Sequence, residues 1–152
     1  MSHFALAADA VFDGAALHHE ATVVIDGTEI RALVPAAGVP QDIPVRSLPK
    51  RVWLAPGFID LQVNGGGDVL FNDTPTPDGI ATITQAHRRF GTTGLLPTLI
   101  TDTPAKMHAA QEAAAAAMET QPSVLGIHFE GPFLSPERAG VHDPQLMRTP
   151  DA

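Results

Sequence analysis

The chain has 152 residues, 44% of them hydrophobic and 17% charged, with nine Lys+Arg against 17 Asp+Glu and a formal net charge of −8. That composition excludes disorder over the whole length, which needs low hydrophobicity and high charge. It also leaves no basic footprint for nucleic acid. The absence of cysteine excludes disulfides, thiolate metal sites and cysteine nucleophiles together. No run of about 18 apolar residues could span a bilayer, and Met1 to Asp13 lacks the basic n-region of a secretory signal. A cytoplasmic protein without nucleic-acid or membrane partners is expected.

Residues 1–55 read as a small all-β unit. Ala21 to Ile25 and Glu29 to Val34 flank Asp26-Gly27, a dipeptide that favours φ > 0 and turns a hairpin. Proline and glycine between Pro35 and Pro44 break the pattern into an extended loop. Val45 to Leu48 and Val52 to Leu54 read as two further short strands.

At Pro56-Gly57 the pattern changes, and 56–152 reads as alternating strands and helices. Phe58 to Val63 is a short apolar run with β-branched content. Thr76 offers an N-cap and Pro77 the first helical position, with Ile80, Ile83, Ala86 and Phe90 at helical spacing and Gly91 as the stop. Gly94 to Ile100 is the next strand. Thr103 and Pro104 open an alanine-rich helix that runs to about Thr120. Val124 to Glu130 is a third strand. Near-continuous apolar strands joined by helices predict an α/β class with a parallel sheet covered on both faces.

Two segments could carry chemistry. Along Gly57 to Gly65, residues two apart share a strand face, so Asp60, Gln62 and Asn64 point one way and Ile59, Leu61 and Val63 the other. Three polar side chains on one face of a buried strand need partners or a ligand; a plug that satisfies backbone groups is the bland alternative. Gly65 to Gly67 permit close backbone approach but lack the spacing and lysine of a phosphate loop. In Gly126 to Phe133, Glu130 closes an apolar strand at the end where α/β folds place their ligands. It could ligate a metal, act as a general acid or base, or cap a loop. His128, on the same strand face, is more often a satisfied core histidine than a ligand. His142, on the following loop, is either a substrate contact or an ordinary loop histidine. His18, His19 and His87 have surface explanations and receive no role.

Taken together, Pro56 to Asp60 with Gln62, Asn64 and Gly65, Phe71-Asn72-Asp73, Leu96 to Thr101, His128 to Leu134 and Gly140 to Pro144 resemble the N-acetylglucosamine-6-phosphate deacetylase family of the amidohydrolase superfamily. The resemblance covers most of Leu54 to Pro150 in order. It implies a (β/α)₈ barrel preceded by half of a small β-sandwich, and metal-dependent hydrolysis of the N-acetyl amide of an amino-sugar phosphate. By the same resemblance Glu130 is a metal ligand, Val141 and His142 contact the substrate, and Gln62 and Asn64 line the site. Those two amides stand where many amidohydrolases have histidines, which implies one divalent metal rather than two: zinc, with iron or another divalent ion as alternatives. Between Arg89 and Glu130 the only Lys or Arg is Lys106, on a predicted outer helix. A cation from outside the chain is therefore the expected partner of the Glu130 carboxylate, with residues downstream as competitors.

A whole barrel takes about 250 residues, and the residues from Gly57 onward supply roughly three of its eight strands. The remaining metal ligands, the acid/base aspartate and the main phosphate contacts are expected beyond Ala152. A homodimer is expected of the full-length enzyme. A truncated, non-catalytic piece is the first alternative. The second is an amidohydrolase for another N-acyl sugar or a cyclic amide.

Overall fold

The computed structural model describes residues 3–150. The chain divides into two compact units, Met1–Pro56 and Gly57–Ala152.

The first unit is one five-stranded sheet: β1 (His3–Phe12), β2 (Leu17–Asp26), β3 (Glu29–Pro35), β4 (Val45–Ser47) and β5 (Trp53–Leu54). The order is β3-β2-β1-β4, and β5 also pairs with β1. The expected hairpin forms between β2 and β3, with Asp26 opposite Glu29 and the turn at Gly27 (φ 62°) and Thr28. The short strands β4 and β5 both run parallel to β1. Strand β1, at the centre of the sheet, has no counterpart among the predicted elements. Its register is carried by alanines: Ala5 and Ala10 are fully enclosed, yet alanine has weak strand propensity and hides the alternation. Val23 and Val24 face opposite sides, and each anchors its own apolar cluster, one with Val11 and Ala21, the other with Ala5 and Ile43.

The second unit holds β6 (Phe58–Val63), a miniature hairpin of β7 (Gly65–Gly66) and β8 (Val69–Leu70), α1 (Pro77–Arg88), β9 (Thr92–Ile100), α2 (Pro104–Thr120) and β10 (His128–Glu130). Both helices start where Thr-Pro predicts. The Thr76 hydroxyl accepts from the Gly79 amide, and the Thr103 hydroxyl accepts from the Lys106 amide. The strands β6, β9 and β10 form a parallel sheet in the order β10-β9-β6. Each new strand is thus added on the same side of the last one, and right-handed crossovers then bring both helices to one face. One core follows. Ile80 and Ile83 of α1 and Ala110, Ala113, Ala114 and Ala117 of α2 pack on Val63, Leu95, Leu99 and Val124. Within this unit the sheet is covered by helices on one face, not on both as the apolar strands predict. Phe58, Ile59 and Leu61 of β6 remain exposed.

The third strand is shorter than predicted. Val124 makes only an isolated bridge to Leu95, Leu125 is exposed, and regular pairing resumes at His128. The backbone at Gly126, with φ 157°, separates the two stretches.

Candidate functional site

The carboxyl ends of β6 and β10 place three predicted residues together. Gln62 is the fifth residue of β6, and Asn64 follows the strand directly. The Gln62 amide donates to Glu130 Oε1 at 2.8 Å, and the Asn64 amide donates to Glu130 Oε2 at 3.1 Å. A carboxylate only accepts, so the contacts orient both amides with nitrogen toward Glu130. Glu130 is half-buried at the last position of β10. Its immediate protein partners are therefore two neutral amide donors. Asp60 takes no part in this cluster; its Oδ1 accepts from the Gln62 backbone amide.

The pairing of β6 with β9 slips between Asp60 and Val63, which face Leu95 and Pro97. The bulge puts three steps of β6 against two of β9. The Thr98 hydroxyl holds this irregular stretch by accepting from the Val63 amide at 2.9 Å. His128, half-buried, has its Nδ1 3.3 Å from the same hydroxyl.

His142 reaches the site through Thr101, the residue that follows β9. The Thr101 backbone amide donates to His142 Nδ1 at 3.2 Å, and the Thr101 hydroxyl stands 2.9 Å from the same nitrogen. A backbone amide only donates, so Nδ1 is an acceptor and the ring proton belongs on Nε2. The same hydroxyl lies 3.2 Å from the backbone carbonyl of Glu130 and can donate to it. Thr101 thus ties the histidine to the strand end that carries the carboxylate. The next residue makes room for this: a Cβ on Gly131 would collide with the Thr101 hydroxyl, and Gly131 has φ 110°. Val141, immediately before His142, is 82% exposed.

Behind the site, Asn72 is buried and bonds Ile100 twice, donating to its carbonyl at 3.2 Å and accepting from its amide at 3.1 Å. Its amide also donates to Asp102 at 3.0 Å, and Lys106 sits 3.0 Å from the same carboxylate. Burial pushes the Asp102 carboxyl up. The Asn72 amide, the Thr103 amide and Lys106 outweigh it and hold the group below the ordinary carboxylate range. Neither Thr101 nor Asp102 is singled out by local sequence pattern. For Thr101 the available signal is the glycine at 131, which marks a close approach without naming what approaches.

A divalent metal fits this cluster only in part. Glu130 offers an anionic oxygen at a strand end, but a protein site for a transition metal takes three or four ligands. Among the described residues no group of three or more His, Asp or Glu is placed to hold a metal ion. Glu130 is therefore a single candidate ligand, and the described residues do not complete a set.

No family model matches the chain. It is 52% identical over 96 residues to an N-acetylgalactosamine-6-phosphate deacetylase of Shewanella sp. (strain ANA-3), a match that covers 62% of this chain and 24% of that protein. It is 35% identical over 127 residues to an N-acetylglucosamine-6-phosphate deacetylase of Haemophilus influenzae, covering 83% of this chain and 33% of that protein. Its fold matches the crystal structure of N-acetylglucosamine-6-phosphate deacetylase from Pasteurella multocida with a TM-score of 0.92 at 31% identity, over 98% of this chain and 39% of that one. The chain spans about a quarter to a third of the length of these curated relatives. In sequence and in fold the chain is thus similar to N-acetylglucosamine-6-phosphate deacetylases over part of their length.

Proposed function

We propose that this chain is the N-terminal part of a metal-dependent deacetylase that hydrolyses the N-acetyl amide of N-acetylglucosamine 6-phosphate to glucosamine 6-phosphate and acetate. The observation that carries the reading is Glu130. It closes a parallel strand, both its oxygens are gripped by amides from β6 and the residue after it, and Thr101 joins it to His142. Strands added always on one side, with both helices on one face, are how a (β/α)₈ barrel begins. The remaining strands would bring the other metal ligands, the acid/base aspartate and the phosphate contacts. The β1–β5 sheet is then half of the accompanying sandwich. The full-length enzyme would work in the cytoplasm as a homodimer.

Each residue has a definite task in this reading. Glu130 would be a ligand of one divalent metal, zinc or alternatively iron or another divalent ion. Gln62 and Asn64 would orient that ligand and, as carboxamides, add no second metal site. When bound, the metal supplies a Lewis acid and a water of lowered pKa. His142, with its proton on Nε2, would donate to the acetyl carbonyl oxygen and steady the charge that gathers there. Val141 would offer apolar surface beside it.

A second substrate is favoured by one observation, the 52% identity to an N-acetylgalactosamine-6-phosphate deacetylase. The two sugars differ only in the configuration at one hydroxyl. The test is acetate release from each 6-phosphate, measured with the complete reading frame and with the 152-residue chain alone. Release by the complete protein but not by the chain supports the reading, and the ratio of kcat/KM values names the sugar. No release from either sugar by the complete protein overturns it, and turnover of a cyclic amide instead would point to another amidohydrolase.

A further inference from the structure

We propose that His87 is a positioning residue for this site, acting through the glycine hairpin and Asn64 on the Glu130 carboxylate. The proposal rests on the deacetylase reading above. His87 lies in the last turn of α1, half-buried, and its Nε2 donates to the Gly65 carbonyl at 2.9 Å. The preceding carbonyl, that of Asn64, accepts from the Phe71 amide at 2.8 Å. Two successive peptide groups are therefore held from opposite directions, one by the far arm of the hairpin and one by the helix. Asn64, whose side-chain amide reaches Glu130 Oε2, leads directly into the first of them.

This support has work to do because the hairpin is very small. Strands β7 and β8 have two residues each and pair only Gly65 with Leu70 and Gly66 with Val69. A ribbon of that size has no stability of its own in water. Contact with α1 supplies it. A Cβ on Gly66 would lie 3.0 Å from Cδ2 and Nε2 of His87 and 3.3 Å from the Ala86 methyl. The glycine is what lets the hairpin backbone lie against the helix, so the close approach that the glycine run permits is to α1.

The experiment uses the full-length protein with His87→Ala and His87→Gln, each in the unaltered and the Asn64→Ala background. Gln keeps an N–H donor near the position of Nε2. Outer-shell partners of catalytic groups typically matter by 10- to 100-fold, so His87→Ala should lower kcat for acetate release roughly 10-fold. His87→Gln should restore most of it. In the Asn64→Ala background His87→Ala should lower kcat no further, because the two residues lie on one line of action. Hydrogen exchange in the 64–71 segment should quicken in His87→Ala and recover in His87→Gln. Gly66→Ala, whose added methyl meets the same ring, should reproduce the loss and add little to it when combined with His87→Ala. Should His87→Ala not fold, His87→Gln and Gly66→Ala carry the test. Unchanged exchange with unchanged kcat, equal losses in both backgrounds, or a lowered Tm with normal kcat would each overturn the proposal. If the unaltered protein releases no acetate from either sugar, the deacetylase reading fails, and the exchange measurements still decide whether His87 holds the hairpin.

Discussion

Gln62 and Glu130 are 68 positions apart in the chain and meet at 2.8 Å across the central strand of their sheet. In a regular sheet the strands on either side of a central one lie about 9.6 Å apart. Two long side chains close that gap, and a change to either is felt at the other.

Glu130→Gln in the full-length enzyme is therefore expected to remove metal and activity together. The replacement keeps the volume but offers only one acceptor oxygen, while two amides still point at it. One donor is left facing an amide nitrogen, at a cost of about 1–3 kcal/mol for a buried group and less for a half-buried one. Metal analysis of the folded variant checks the expectation, and full retention of metal in a dead enzyme would reassign Glu130 to proton transfer alone.

Gln62→His with Asn64→His replaces two carboxamides by imidazoles, which bind divalent transition metals far better. A second tight equivalent of metal should appear in the double variant, read by titration against a chromogenic chelator. Two tight equivalents in the unaltered enzyme would contradict the one-metal reading.

For His142→Asn the expected result is intact metal content and a fall in turnover of roughly 10²- to 10³-fold, the usual effect of losing one charge-stabilising donor. Steady-state kinetics with metal analysis on the same sample decides it. A normal rate would return His142 to the surface loop.

Gly131→Ala should damage the link between His142 and Glu130 without touching either. The added methyl meets the Thr101 hydroxyl, and the left-handed backbone at Gly131 disfavours any side chain. Strain of this kind costs roughly 1–3 kcal/mol. A lower Tm accompanied by lower kcat is expected; pairing the change with Thr101→Ala, which clears the collision, should recover part of the Tm.

Acid should loosen the end of β9 through Asp102. Its folded-state pKa lies below the ordinary 3.8. The ionised carboxylate therefore adds stability in full above that value and loses it as pH falls through the folded-state value. Asp102→Asn should lower Tm at neutral pH, and the gap to the unaltered protein should close in strongly acidic buffer. A gap that stays constant between pH 6 and pH 3 would mean that Asp102 matters by shape and not by charge.

What could be read without coordinates was local chemistry. Thr76-Pro77 and Thr103-Pro104 announce their helices because a hydroxyl cap and a proline at the first position act within one turn. Phe58 to Val63 is legible as a strand because its composition matches its conformation. Strand β1 is not, since the residues that fill its core positions are mostly alanine. The Val124 to Glu130 strand is overextended because an apolar run says nothing about the conformation of a glycine inside it. At the site, the pattern nominates Gln62, Asn64, Glu130 and His142 one at a time. Their joining through Thr101, and the role of His87 behind the hairpin, depend on contacts between residues 22 to 68 positions apart, which no local periodicity carries.

The side chains that helix α2 buries fully are all methyl groups, Ala110, Ala113, Ala114 and Ala117, with the half-buried Met107 packed beside them near its N-terminal end. A face this thin lets the helix axis come close to the sheet, and it makes the tolerance of the helix one-sided. Shaving a methyl to hydrogen removes little packing and costs mainly the helix penalty of glycine, about 1 kcal/mol. Adding even two carbons has nowhere to go, and overpacking of that kind costs about 1–3 kcal/mol while pushing the helix off Leu99. Variation among functional versions of this chain should accordingly be permissive on the outer face of α2 and confined to very small side chains on the inner one.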